Sequence, residues 1–154
     1  GGFGGAIKNI SIGIASSAGK AWIHSAGKTT DVEEVWNSLP PQDDFLEAMA
    51  EAARAIVDHC GERILYINVM NNLSVDCDCD AHPEPPRMGD IGILASLDPV
   101  ALDKACVDQV YASPDEGKVH LIERMESRHG IHTLEHAEAL GIGSQQYELV
   151  DLDK

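Results

Sequence analysis

Hydrophobic and polar positions alternate along this chain in a few clear patterns. Between residues 43 and 59, Phe45, Leu46, Met49, Ala52, Ala53, Ile56 and Val57 recur on one stripe of a helical period, which predicts an amphipathic helix closed by Gly61. Ile64 to Met70 is a short apolar run with Tyr, Ile and Val, the pattern of a buried strand. Asp90 to Ser96 reads as a second strand. Asp98-Pro99 then opens a helix running to about Tyr111, with Asp98 as N-cap, proline in the first turn, and Leu102, Ala105, Cys106 and Val110 on the buried face. Ser113-Pro114-Asp115-Glu116 is another helix start, carrying Val119, Leu121, Ile122 and Met125 towards Gly130. Thr133 is expected to cap a short helix that ends at Gly141, and Tyr147 to Val150 is a last strand candidate.

Strands that alternate with helices predict an α/β fold, with a mixed or parallel sheet flanked by helices. Three strands are few for a sheet covered on both faces, so the chain reads as half of a larger domain. Its 154 residues fit a single domain over 1–154, long enough to bury a core without staples. Residues 1–30 are rich in Gly, Ala and Ser and hold Lys8, Lys20 and Lys28, the only lysines or arginines before Arg54. Small residues with spaced lysines suit a segment packed against other backbone, or one that meets an anion. Asn37-Ser38-Leu39-Pro40-Pro41 closes a connector, and residues 71–89, with their prolines, form a long loop of the kind that carries function.

Charge narrows the partners. Eleven Lys and Arg stand against 26 Asp and Glu, a net charge of −15. Such a surface repels phosphate backbones, which argues against nucleic acid and anionic membranes. Solubility accounts for most of that acidity, and a cation held by some of the carboxylates is the sharper reading. No apolar run reaches the roughly 18–20 residues of a spanning helix, and no signal peptide is visible. A cytoplasmic location is expected, with Cys60, Cys77, Cys79 and Cys106 as reduced thiols rather than a disulfide framework.

The loop Asp76-Cys77-Asp78-Cys79-Asp80-Ala81-His82 packs two thiols, three carboxylates and an imidazole into seven residues, directly after a predicted strand. Ligands of open α/β sheets bind outside the carboxyl ends of strands. In an extended stretch Cys77 and Cys79 share one side and the aspartates the other. The thiols then meet one soft metal, iron or zinc, with His82 as third ligand and Asp76, Asp78 or Asp80 around it. The spacing matches neither a paired zinc knuckle nor a four-cysteine iron–sulfur run. The plain alternative is a polar loop with two adventitious cysteines, whose aspartates would raise the thiol pKa and disfavour a nucleophilic cysteine.

Elsewhere the chemistry is sparser. Cys106 lies on an apolar helix face and reads as core. His24 is a ligand candidate within the Gly/Lys-rich segment, although a lone histidine is more often simply hydrogen-bonded. His120, His129, His132 and His136 read as surface or cap residues. Asp98 and Asp103 read first as capping residues and second as site acids. No phosphate loop, nucleophile elbow or dinucleotide fingerprint is present.

Three segments together resemble a known family: Gly2-Phe3-Gly4-Gly5-Ala6-Ile7-Lys8-Asn9-Ile10 with Ala18-Gly19-Lys20 and His24-Ser25; Asp76-Cys77-Asp78-Cys79; and Asp90-Ile91-Gly92-Ile93-Leu94-Ala95-Ser96 running into Asp98-Pro99-Val100-Ala101-Leu102-Asp103. The tail from Leu134 to Leu149 is similar too. The chain resembles the C-terminal half of the domain-of-unknown-function 362 family, whose members are often labelled iron–sulfur centre proteins. The resemblance implies a bacterial or archaeal cytoplasmic protein with a redox role and an electron-transfer partner. It implies no particular reaction. Members commonly carry a ferredoxin insert after the segment matching Gly27-Lys28, whereas residues 29–41 here contain no cysteine, and Ala15 stands where relatives often have Cys.

The first expectation is therefore a metal-binding, redox-associated α/β domain. Cys77 and Cys79 are its ligands, and Lys8, Asn9, Lys20, His24 and Asp98 meet an anionic ligand in the same cleft. The second is a non-catalytic half-domain that pairs, through residues 1–27, with a missing N-terminal half or as a homo-oligomer. The third is a hydrolase or transferase that uses a hard metal on the aspartates.

Overall fold

The computed structural model describes residues 2–77 and 79–153. The chain enters through three short helical pieces: α1 (Ala6–Lys8), a π-helical turn (Asn9–Gly13) and α2 (Ser17–His24). A three-residue helix cannot hold itself, because nucleation costs more than so few bonds return. α1 is instead held from outside. The carboxylate of Asp103, 97 residues away, accepts Ala6 N at 2.7 Å and Ile7 N at 3.0 Å, which caps an N-terminus that Gly5 leaves without a side-chain cap. Gly5 sits at φ 158°, and a β-carbon there would lie 2.5 Å from Asp103 Oδ1, so only glycine lets the chain approach this closely. A β-carbon on Gly2 would likewise overlap the backbone of Gly130. The small residues of the N-terminal segment thus serve close backbone packing, and Ala6, Ile7, Ile10, Ala21 and Ile23 are buried.

A 3₁₀ turn (Val35–Asn37) leads to α3 (Gln42–Cys60), where Phe45, Leu46, Met49, Ala50 and Ala53 are buried as the stripe predicts, and Gly61 ends the helix at φ 54°. Then come β1 (Tyr66–Met70), β2 (Gly92–Ser96), α4 (Pro99–Ala112), α5 (Lys118–Ser127) and α6 (His132–Ala139). The main core joins Ile7, Ala53, Tyr66, Val100, Leu134 and Ile142. The fold is a helix-rich α/β arrangement.

Four expectations are corrected. Among the described residues the sheet has two strands and is antiparallel, with Tyr66 opposite Ser96 and Met70 opposite Gly92, rather than parallel or mixed. A parallel pair needs a crossover, usually a helix, and the described residues of the segment 71–91 between the strands hold none. Residues 147–150 form no strand; Tyr147 Oη is instead hydrogen-bonded to Asp108 Oδ2 at 2.8 Å. α5 starts at Lys118, because Asp115 turns its carboxylate to Gly117 N and Gly89 N, both at 2.8 Å, and so holds a turn there. Thr133, expected as a cap, lies inside α6 and is buried.

The sheet packs on α4 through the side bearing Tyr66 and Met70. Its other side carries Ile67, Val69 and Ile93, each more than half exposed, with Val69 directly opposite Ile93.

Candidate functional site

β1 runs along an open cleft of about 880 Å³. Its other walls come from the N-terminal segment, which contributes Lys8 and Asn9, from α4 and α5, which contribute Cys106 and Arg124, and from Arg128 just past the end of α5. The chain leaving β1 turns along the rim and brings Asp76 and Cys77 into the lining. Placing the loop at the carboxyl end of the strand therefore has the geometric result that the sequence suggests.

At that rim Cys79 Sγ lies 2.8 Å from Cys77 Sγ, and Lys8 Nζ lies 3.2 Å from Cys77 Sγ. Partial burial works to raise the Cys77 thiol. The hydrogen bonds from Cys79 and from the Lys8 ammonium outweigh it, so Cys77 ionises below its ordinary range. Cys79 moves the other way, chiefly because its thiol donates to Cys77 and then because of burial. Cys77 is therefore the first of the pair to ionise, and Cys79 the one that keeps its proton. The aspartates do not dominate the thiols, contrary to the expectation from loop composition, because Lys8 reaches them and Asp76 is otherwise engaged. Its carboxylate accepts Glu84 N at 2.9 Å and meets Arg124 Nη2 at 3.4 Å.

Arg124 is a residue that the sequence reading missed. Its second nitrogen donates to Val75 O at 2.9 Å, so α5 fastens the loop immediately before the cysteines. No sequence signal distinguishes this arginine from a solvated one on the same helix. Asp103 was also underrated. From its buried place on α4 it takes Ala6 N, Ile7 N and Asn68 Nδ2, the last at 2.8 Å, and so fixes the turn that carries Lys8. Burial pushes its carboxyl up to about 6, against the three donors that favour the ionised form.

The remaining expected site residues are not gathered here. His82 is exposed, and its backbone N–H goes to Asp80 Oδ1 at 2.9 Å. Among the described residues no third Cys, His, Asp or Glu donor joins the two thiols. Asp78 lies outside the described residues. Lys20 and His24 stand away from the cleft lining. The imidazole of His24 accepts from or donates to nothing in the cleft; its Nδ1 pairs with Lys20 O at 2.7 Å, and its ring stacks on Phe45 at 5.2 Å. Asp98 spends both oxygens on structure: Oδ1 accepts Val100 N and Ala101 N at 2.8 and 2.9 Å, and Oδ2 accepts Ser144 N at 2.9 Å. Cys106, pushed up to about 11 by burial, stays a neutral thiol in the cleft wall.

The donor set fits a soft ion held by two thiolates, since sulfur donors select soft metals. It does not fit a four-cysteine cluster. Cys60 and Cys106, the other two cysteines, lie on α3 and α4 and are not among its donors.

No helix is long and apolar enough to cross a membrane among the described residues. No curated protein and no solved structure matches the chain. The sequence profile of the domain of unknown function (DUF362) matches residues 1–108, a span that includes the glycine-rich entry, Lys8, the cysteine loop and Asp103. That match covers well over half of the chain, and the protein belongs to the DUF362 family.

Proposed function

We propose that Cys77 and Cys79 form a thiolate centre that binds a soft metal ion in a redox-associated protein, with Lys8 beside it to meet an anionic ligand in the cleft. The observation that carries this reading is the contact of the two Sγ atoms at 2.8 Å with Lys8 Nζ at 3.2 Å. Ligation and redox chemistry both need the thiolate, and a lysine ammonium against one sulfur favours that form. Lys8, Arg124 and Arg128 make the cleft locally cationic on a chain of net charge −15, which suits an anionic ligand there. The hard-metal reading draws less support, because Asp76 and Asp80 are occupied by backbone and Arg124 partners.

Elemental analysis of protein purified without oxygen, with a visible spectrum, tests the centre. The wild type is expected to hold about one equivalent of iron or zinc more than Cys77→Ala or Cys79→Ala. Full metal content in both variants would sink the reading.

A second reading, assembly as a homo-oligomer, is favoured by the apolar face of Ile67, Val69 and Ile93. Identical faces can pair about a two-fold axis, and exposed apolar patches of this kind mark interaction surfaces. Residues 1–27, the contact expected from sequence, bury Ala6, Ile7, Ile10, Ala21 and Ile23 but leave Ile14 and Trp22 more than half exposed. Sedimentation over a hundredfold concentration range should show a dimer that Ile93→Glu converts to monomer; a wild-type monomer throughout would exclude self-association by this face.

A further inference from the structure

Away from the cleft, α3 and α6 face each other through a row of histidines and carboxylates that the thiol chemistry does not use. Asp43, Glu47 and Glu51 are spaced one helical turn apart on α3. His129 in the α5–α6 turn, with His132 and His136 on α6, stands against them. His129 Nδ1 is 2.7 Å from Asp43 Oδ1, and His132 Nε2 is 2.8 Å from Glu47 Oε1. The rings of His129 and His132 stack at 5.1 Å, only 15° from parallel. His136, next in the row, keeps a buried Nε2 with no hydrogen-bond partner, and its nearest carboxylate oxygens are those of Glu51 at 3.7 Å and Glu47 at 4.0 Å.

We propose that Asp43, His129 and His132 bind a borderline divalent cation such as zinc, at a site separate from the Cys77–Cys79 centre. One donor atom from each of the three lies within 4.8 Å of the others. Tetrahedral zinc with nitrogen and oxygen ligands requires about 3.3 Å between donors, from bonds of roughly 2.0–2.1 Å. The approach still needed is within reach of side-chain rotation, since Asp43 and His129 are about half exposed. Two imidazoles and one carboxylate are the donor chemistry that such ions prefer over calcium or magnesium. Glu47 supplies the supporting contact by which a carboxylate orients a ligand imidazole. Stacked imidazoles are also a poor arrangement for two like charges, whereas a shared cation uses both rings as neutral donors. Three protein ligands leave the remaining position to solvent on an exposed face, and the bound ion ties the first turn of α3 to the turn between α5 and α6.

The test uses Zn²⁺ alone, titrated calorimetrically into the Cys77→Ser/Cys79→Ser chain, so that neither thiol of the first centre contributes. One equivalent should bind with a micromolar or tighter Kd and raise the melting temperature. His129→Ala and Asp43→Asn, each on that background, should weaken binding at least tenfold while melting, without zinc, within a few degrees of their parent. Two variants on different elements keep the result interpretable if one of them folds poorly. Absence of binding in the Cys77→Ser/Cys79→Ser background, or binding that neither variant weakens, overturns the proposal. Neither result bears on the thiol centre, whose failure would show as cysteine variants that hold as much metal as the wild type.

Discussion

Asp103→Ala is expected to cost about 3–5 kcal/mol of folding stability and to lower the melting temperature by on the order of 10 °C. The carboxylate is 1% exposed and satisfies Ala6 N, Ile7 N and Asn68 Nδ2. Alanine leaves the buried Ala6 and Ile7 N–H groups unpaired and takes one acceptor from Asn68 Nδ2, which keeps Cys106 Sγ at 3.4 Å; each orphaned donor costs about 1–3 kcal/mol. Against a typical total of roughly 5–15 kcal/mol this is a large share. α1 also loses the cap that holds a helix of three residues. Lys8, its last residue, is then freed from its place beside Cys77, so the variant should alkylate more slowly at Cys77 as well as melt earlier. Asp103→Asn keeps one oxygen acceptor but aims an amide at N–H donors, and should fall between the two.

The same residue gives a pH signature of unusual sign. Burial raises the folded carboxyl to about 6, above an unfolded value of roughly 3.9. A group shifted this way contributes stability that is full below the unfolded pKa and lost as pH rises through the folded one. Wild-type stability, measured relative to Asp103→Asn by denaturant unfolding, should therefore decline from pH 4 to pH 7. A difference that grows with pH would show that the three N–H donors prevail over burial and that the carboxylate is ionised in the fold.

What the sequence made legible follows from which signals are local. The α3 stripe, the Asp98-Pro99 start of α4 and both strands need only neighbours in the chain, and each forms within a few residues of its expected bounds. Strand direction was not legible, because it depends on what the loop of residues 71–91 lacks rather than on any residue it contains. Asp103 was hidden for a related reason. In sequence it sits in a capping context with Asp98, and only the fold brings α1, 97 residues away, to its carboxylate. The cysteine loop is legible by composition, but the sign expected for its thiols fails at Cys77. The adjacent aspartates are visible in the sequence, whereas Lys8, 69 residues upstream, is expected in the cleft for an anionic ligand and not against the sulfur. His129 and His132 read in sequence as surface or cap residues, with Gly130 between them interrupting the helical spacing. The interruption in fact turns the chain so that the two rings stack beside Asp43.

Lys8→Met should slow alkylation of Cys77 at neutral pH by about threefold to tenfold, with the rate profile moved to higher pH. Methionine keeps the apolar stem and removes the ammonium, which is 3.2 Å from the sulfur. The effect is a factor rather than an abolition, because Cys79 still donates its thiol proton to Cys77 at 2.8 Å. The two contributions separate in a cycle. Cys79→Ala alone removes the thiol donor, Lys8→Met alone removes the cation, and the double variant should bring Cys77 back towards an ordinary thiol, with burial then opposed only by the backbone N–H of residue 79. Lys8→Arg retains a cation and should recover much of the rate. Monobromobimane labelling followed from pH 6 to pH 10, with Cys77 identified by peptide mapping, reads all four proteins. A profile that Lys8→Met leaves in place would mean that the ammonium is neutralised elsewhere. It would then remove the electrostatic basis for a thiolate at this rim, because the aspartates on either side of the cysteines act only against it.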